Sequence, residues 1–71
     1  MSLKQASNGE TVKIVSINAS HSYVSRLSAL GVLPGREIRV IDNSLCAASL
    51  VDCMGARLVL GRGLPDRIII K

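Results

Sequence analysis

Few residues in this 71-residue chain could do chemistry. His21 is the only histidine and stands between Ser20 and Ser22. A nucleophile–base pair built on it would need an orienting carboxylate and an oxyanion pocket, and no pattern in the sequence supplies either. The three residues read instead as a solvated, capping segment ahead of a helix. His21, Cys46, Cys53 and Met54 are the soft metal-ligand candidates. Zinc takes thiolates or imidazoles at close spacing, and ferrous iron commonly takes His with carboxylates. The spacing here fits neither, and Cys53 reads as a small apolar residue in a strand. The expectation is no catalytic residue, no metal ligand and no bound cofactor.

Basic and apolar side chains remain. Nine Lys and Arg face five Asp and Glu, for a net charge of +4. Arg26, Arg36, Arg39, Arg57, Arg62 and Arg67 are spread along the chain and suit either a solvated strand face or an acidic partner. Small barrels that bind RNA use stacking aromatics in a basic groove, whereas aromatic content here is 1%. Tyr23, Val32, Leu33 and Leu64 fall at a helix start, a turn and a crossing loop, where full burial is difficult. Exposed apolar groups rimmed by Arg suit a protein contact. The candidate partner-binding set is therefore Tyr23, Arg26, Val32, Leu33 and Leu64. The competing reading has the four apolar residues plugging the ends of a barrel.

These residues are positioned by the stretch from Arg26 to Gly35. Leu27 and Leu30 share a helix face that Tyr23 and Val24 extend, over a helix from about Ser22 to Leu30. Gly31 stands at the left-handed C-terminal position, and Pro34-Gly35 form a turn into a strand. Ahead of this, Leu3 and Ala6 form one apolar turn that plugs a sheet end. Asn8-Gly9 is a turn, and Val12 and Ile14 alternate with polar residues in a first strand. Ile17 breaks that period, as at a β-bulge. Ser20 or Ser22 caps the helix.

Arg36 to Asp42 is a second strand with Ile38 and Val40 on one face. Leu45 to Ser49 reads as a loop flowing into a short strand, Leu50 to Cys53. Met54-Gly55 closes a hairpin onto Ala56 to Leu60, with Ala56, Leu58 and Leu60 on one face. Gly61 to Asp66 is a tight crossing with one turn of 3₁₀-helix. Arg67 to Ile70 is a last strand that returns to an early one. The chain is one domain, residues 1–71, and mainly β. Five short strands, one helix and Gly-rich corners point to a closed or partly closed barrel.

A chain this short buries only about 60% of its unfolded surface, so the core must be efficient. With 48% hydrophobic residues and one tyrosine in place of any Phe or Trp, that core is aliphatic. No apolar run is long enough to span a membrane. The N-terminus lacks the apolar centre of a secretory signal. Cytoplasmic residence with reduced thiols is expected. The edge from Ile68 to Ile70 could pair between copies in a homo-oligomer.

The order of these motifs resembles the FeoA family, the small accessory proteins of bacterial ferrous iron uptake, and the related SH3-like domain of some metal-dependent repressors. The resemblance runs from Leu3, Gly9, Val12, Ile14 and Ile17 through Arg26-Leu27. It continues in Leu30-Gly31-Val32-Leu33-Pro34-Gly35 and Val40, then Gly55, Leu58-Val59-Leu60-Gly61, Ile68 and Ile70. It implies a five-stranded SH3-like barrel with a short helix after the first strand and a helical turn before the last. It also implies a non-enzymatic role and a partner, the membrane iron permease with its nucleotide-binding cytoplasmic domain. The alternatives are a regulatory domain acting in metal-dependent transcription and a small basic nucleic-acid-binding barrel. Two positions depart from the family pattern. A Gly-Asp-Pro-like turn is replaced by Asn43 to Ser49, and Pro65 stands where a small residue is usual, with one hydrogen bond at risk.

Overall fold

The computed structural model describes residues 1–44, 48–61 and 63–71. Cys46, most of the loop expected from Leu45, and Arg62 lie outside the described residues. The strands are β1 (Thr11–Ile17), β2 (Glu37–Asp42), β3 (Ser49–Cys53), β4 (Ala56–Leu60) and β5 (Ile68–Ile70). One helix, α1 (His21–Ala29), follows β1, and 3₁₀ turns occupy Leu3–Gln5 and Leu64–Arg67. All pairings are antiparallel, in the order β4-β3-β2-β1-β5. This is the small SH3-like β fold that the resemblance implies. Among the described residues, no ladder joins β4 to β5.

β1 is the shared strand. Its first half pairs with β2, Thr11 opposite Arg39 and Lys13 opposite Glu37. Its second half pairs with β5, Ile14 opposite Ile70 and Ile17 opposite Ile68. The register slips between Ile14 and Ser16. That bulge is the break in period seen at Ile17, and it lets one strand bend between two neighbours. Val12 and Ile14 face inward. Val15, at the bulge, is exposed, while Ile17 beyond it turns back toward the core.

The corner after α1 is a Schellman motif. Gly31, at φ 91°, donates to the Ser28 carbonyl (3.0 Å), and Val32 donates to that of Leu27 (2.9 Å). A hydrophobic contact between the residues at these two ends commonly accompanies the motif, and both Val32 and Leu27 are buried. Leu33 to Arg36 follow as a turn, Arg36 N–H to Leu33 carbonyl at 3.1 Å, with Gly35 at φ 91° as a type II turn requires. The β3–β4 hairpin turns on Met54 (φ 56°) and Gly55 (φ 86°), the primed geometry that matches strand twist.

The core is aliphatic, with Leu3, Ile14, Ile38, Val40, Val51 and Ile68 among the fully buried side chains. Leu3 and Ala6 plug one end as expected. Asn43 holds that plug. Its Nδ2 donates to the carbonyls of Leu3 (2.9 Å), Lys4 (3.4 Å) and Ala6 (2.8 Å), and its N–H donates to Asn8 Oδ1 (2.7 Å). Ser49, a fully buried polar residue, donates its hydroxyl to Asn43 Oδ1. Lys4 Nζ donates to the carbonyls of Asn43 (2.9 Å) and Ala48 (2.8 Å). Pro65 is buried in the first turn of the second 3₁₀ segment, where a backbone N–H has no helical partner to lose.

β5 is not a bare edge. Ser2 bridges Ile69, and Ile70 donates its N–H to the Met1 carbonyl (2.8 Å). The expected pairing of Ile68 to Ile70 between copies would have to displace these residues.

Two predictions follow from this corner. Asn43→Ala strips the donor from carbonyls at the chain's start and the acceptor from a buried hydroxyl, so it should destabilise the fold by about 1–3 kcal/mol, read as a lower urea midpoint by circular dichroism. Ser44 donates its hydroxyl and its N–H to Asp42 Oδ1, and these bonds hold the Asp42 carboxyl below its ordinary value, with a smaller contribution from Lys4. A depressed carboxyl stabilises the fold above its unfolded value, about pH 4, and loses that stabilisation as pH falls through the folded value. The stability gap between wild type and Ser44→Ala should therefore close on acidification below about pH 4.

Candidate partner-binding surface

α1 begins on Ser20, whose hydroxyl accepts the N–H of Tyr23 (3.4 Å). The expected cap is thus in place, and His21 is the exposed first residue of the helix. Cys53 is buried, with its thiol 3.5 Å from the Gly31 carbonyl. It packs as the apolar residue that the sequence suggests.

The helix buries a single residue, Leu27. Leu30, expected on the same face, is 55% exposed. Three positions rotate a helix by about 300°, so a stripe one side chain wide cannot cover both. Tyr23 and Arg26 are also exposed. Across from them runs β4, with Leu60 buried, Leu58 half-buried and Val59 66% exposed. Ala56, expected to share the inner face, is exposed beside the hairpin turn. Helix and strand enclose a groove of about 250 Å³, lined by Tyr23, Arg26, Leu30, Leu58, Val59 and Leu64 among others. A smaller depression continues it past Tyr23 and Leu64 to Ala19 and Arg67.

The candidate set is therefore divided. Tyr23, Arg26 and Leu64 come together in the groove, with Leu64 as part of its floor, being only 4% exposed. Val32 is fully buried, contrary to the expectation that its place in a turn leaves it out. The Schellman geometry is the reason, since it folds the residue after the glycine back over Leu27. Leu33 is half-buried in a separate depression with Pro34, Arg36 and Met54, where Arg36 Nη1 approaches Met54 Sδ at 3.0 Å. Leu30 and Val59 were missed by sequence reasoning. A signal for Val59 existed, because period two puts it on the outward face with Arg57, where an apolar residue is out of place. Leu30 carried none, since its spacing from Leu27 is that of a core pair.

Comparison with known proteins brings one family forward. The FeoA domain family model matches residues 1–71. A crystal structure of an iron uptake regulatory protein (FeoA) is 24% identical, with TM-score 0.87 over 100% of this chain and 95% of that one. The solution structure of a FeoA protein from Chlorobium tepidum is 25% identical, with TM-score 0.88 over 99% of this chain and 68% of that one. The iron(II) transport protein A from Clostridium thermocellum is 21% identical, with TM-score 0.85 over 100% of this chain and 44% of that one. Among curated proteins no match was found.

The division of the set is testable by stability alone. Val32→Asp places a charge in the core and should leave the chain unfolded or weaker by more than about 3 kcal/mol. Leu33→Asp, at a half-buried turn, should leave the far-ultraviolet circular dichroism spectrum intact and cost less than about 1 kcal/mol.

Proposed function

The chain belongs to the FeoA domain family, which is associated with ferrous iron transport, and from that premise we propose a non-catalytic, cytoplasmic accessory role. In this reading the protein binds the membrane ferrous iron permease through the permease's nucleotide-binding cytoplasmic domain and modulates it. The observation that carries the reading is the family match over all of residues 1–71. Its surface supports a binding role. Arg26 flanks apolar groups on α1 and β4, and Leu33 stands at the tip of the helix–turn corner. No helix among the described residues is long and apolar enough to cross a membrane. Contact with the permease is proposed to run through Tyr23, Arg26, Leu64 and Leu33, with Val32 supporting them from below.

Calorimetry with the purified cytoplasmic domain of the permease, with and without nucleotide and ferrous iron, tests this. Micromolar binding that changes with nucleotide state is the expected result, a free energy of about −8 kcal/mol. Leu33→Asp should weaken it about tenfold or more, roughly 1.4 kcal/mol. An unchanged affinity for this folded variant would remove Leu33 from the contact. Absence of binding in every state would remove the permease from first place. Steeply salt-dependent binding to RNA would instead favour the basic-barrel alternative.

A further inference from the structure

Six large apolar residues are exposed among the described residues, and Tyr23, Leu30 and Val59 line the one groove between α1 and β4. Scattered singly, such residues need no explanation, whereas apolar residues gathered in one groove and rimmed by polar ones suit a contact site. The charged residues that line the two depressions have one sign, Arg26 in the groove and Arg67 in the adjoining one. Arg57 shares the outward face of β4 with Val59, opposite Asp52 of β3. No Asp or Glu lines either depression among the described residues. One wall is also a sheet edge, for among the described residues β4 has only β3 beside it in the strand order. The opposite edge, β5, is bridged by Ser2. An open edge selects an extended partner, because its backbone groups are met by another strand.

We propose that the groove between α1 and β4 takes an extended acidic segment of a partner protein, alternating apolar side chains with Asp or Glu and laid as an added strand along β4. This rests on the reading of the chain as a partner-binding accessory protein. Apolar side chains on one face of the segment meet Tyr23, Leu30 and Val59, and its carboxylates meet Arg26, Arg57 and Arg67. A second copy of the chain is the poorer occupant. It would bring its own Arg26 and Arg57 to the same rim, on a protein of net charge +4, and like charges facing across an interface select against pairing.

The test is titration of isotope-labelled protein with a synthetic peptide of alternating Val and Glu, followed by NMR, against a control with Lys in place of Glu. The expected result is shift changes at Tyr23, Leu30 and Leu58 to Leu60, with affinity lowered about tenfold or more by Arg26→Glu and by Val59→Asp, each checked as folded by circular dichroism. Equal binding of the Lys peptide, shifts confined to the Leu33–Met54 depression, or no binding at roughly millimolar peptide would overturn the proposal. So would self-association in sedimentation that Val59→Asp abolishes, since the occupant would then be a second copy. The same variants are titrated with the permease domain. If the Glu peptide binds in the groove while the permease domain binds in no state, the groove stands and the permease reading falls. If the permease domain binds and neither variant weakens it, the permease reading stands and the groove is not its contact.

Discussion

β1 must satisfy two neighbours at once, and the rest of the fold depends on how it does so. A flat strand would present one continuous ladder to β2 and another to β5. The β2 pairing instead ends at Lys13, and the bulge between Ile14 and Ser16 shifts the register against β5 just beyond it. Bulges add local twist and bend, so five short strands can curl around a core that contains no aromatic ring among its buried residues. An aliphatic core this small leaves little margin, and the corners carry part of the burden. The Schellman turn at Gly31 tucks Val32 under the helix, and the Asn43 side chain fastens the first turn to the end of β2. Each device spends polar groups of the backbone on holding apolar ones in place.

Much of this was legible in the sequence because it is local. Period two located β1, β2 and β4, and the failure of that period at Ile17 located the bulge. Gly31 and Pro34-Gly35 fixed the corner after α1, since few conformations suit those residues in that order. What could not be read was long-range. Asn43 looks like a turn residue, yet its amide reaches carbonyls 37 to 40 positions away. Val32 looks exposed until the cap geometry is drawn. Leu30 looks buried until the helix is seen to rest on Leu27 alone. Exposure at a corner depends on which face the neighbouring elements cover, and spacing within one element does not carry that information.

The two sheet edges are treated differently, and the difference organises the surface. At β5 the chain's own first residues occupy the backbone groups of Ile69 and Ile70. At β4 the outward face carries Arg57 and Val59, next to a helix that leaves Tyr23 and Leu30 uncovered. Arginine on an exposed edge is a common guard against unwanted strand pairing. Here it also sets a requirement on sign, so the guard and the recognition element are the same side chains.

The placement of the single tyrosine has an optical consequence. In most small domains the near-ultraviolet signal comes from aromatics in the core and reports whether the fold is intact. This chain has one tyrosine, no tryptophan and no phenylalanine, and that tyrosine lies on the α1 surface, 36% exposed. Its emission therefore responds to whatever covers the groove as well as to unfolding. The protein carries a built-in, label-free reporter at the place where recognition is expected.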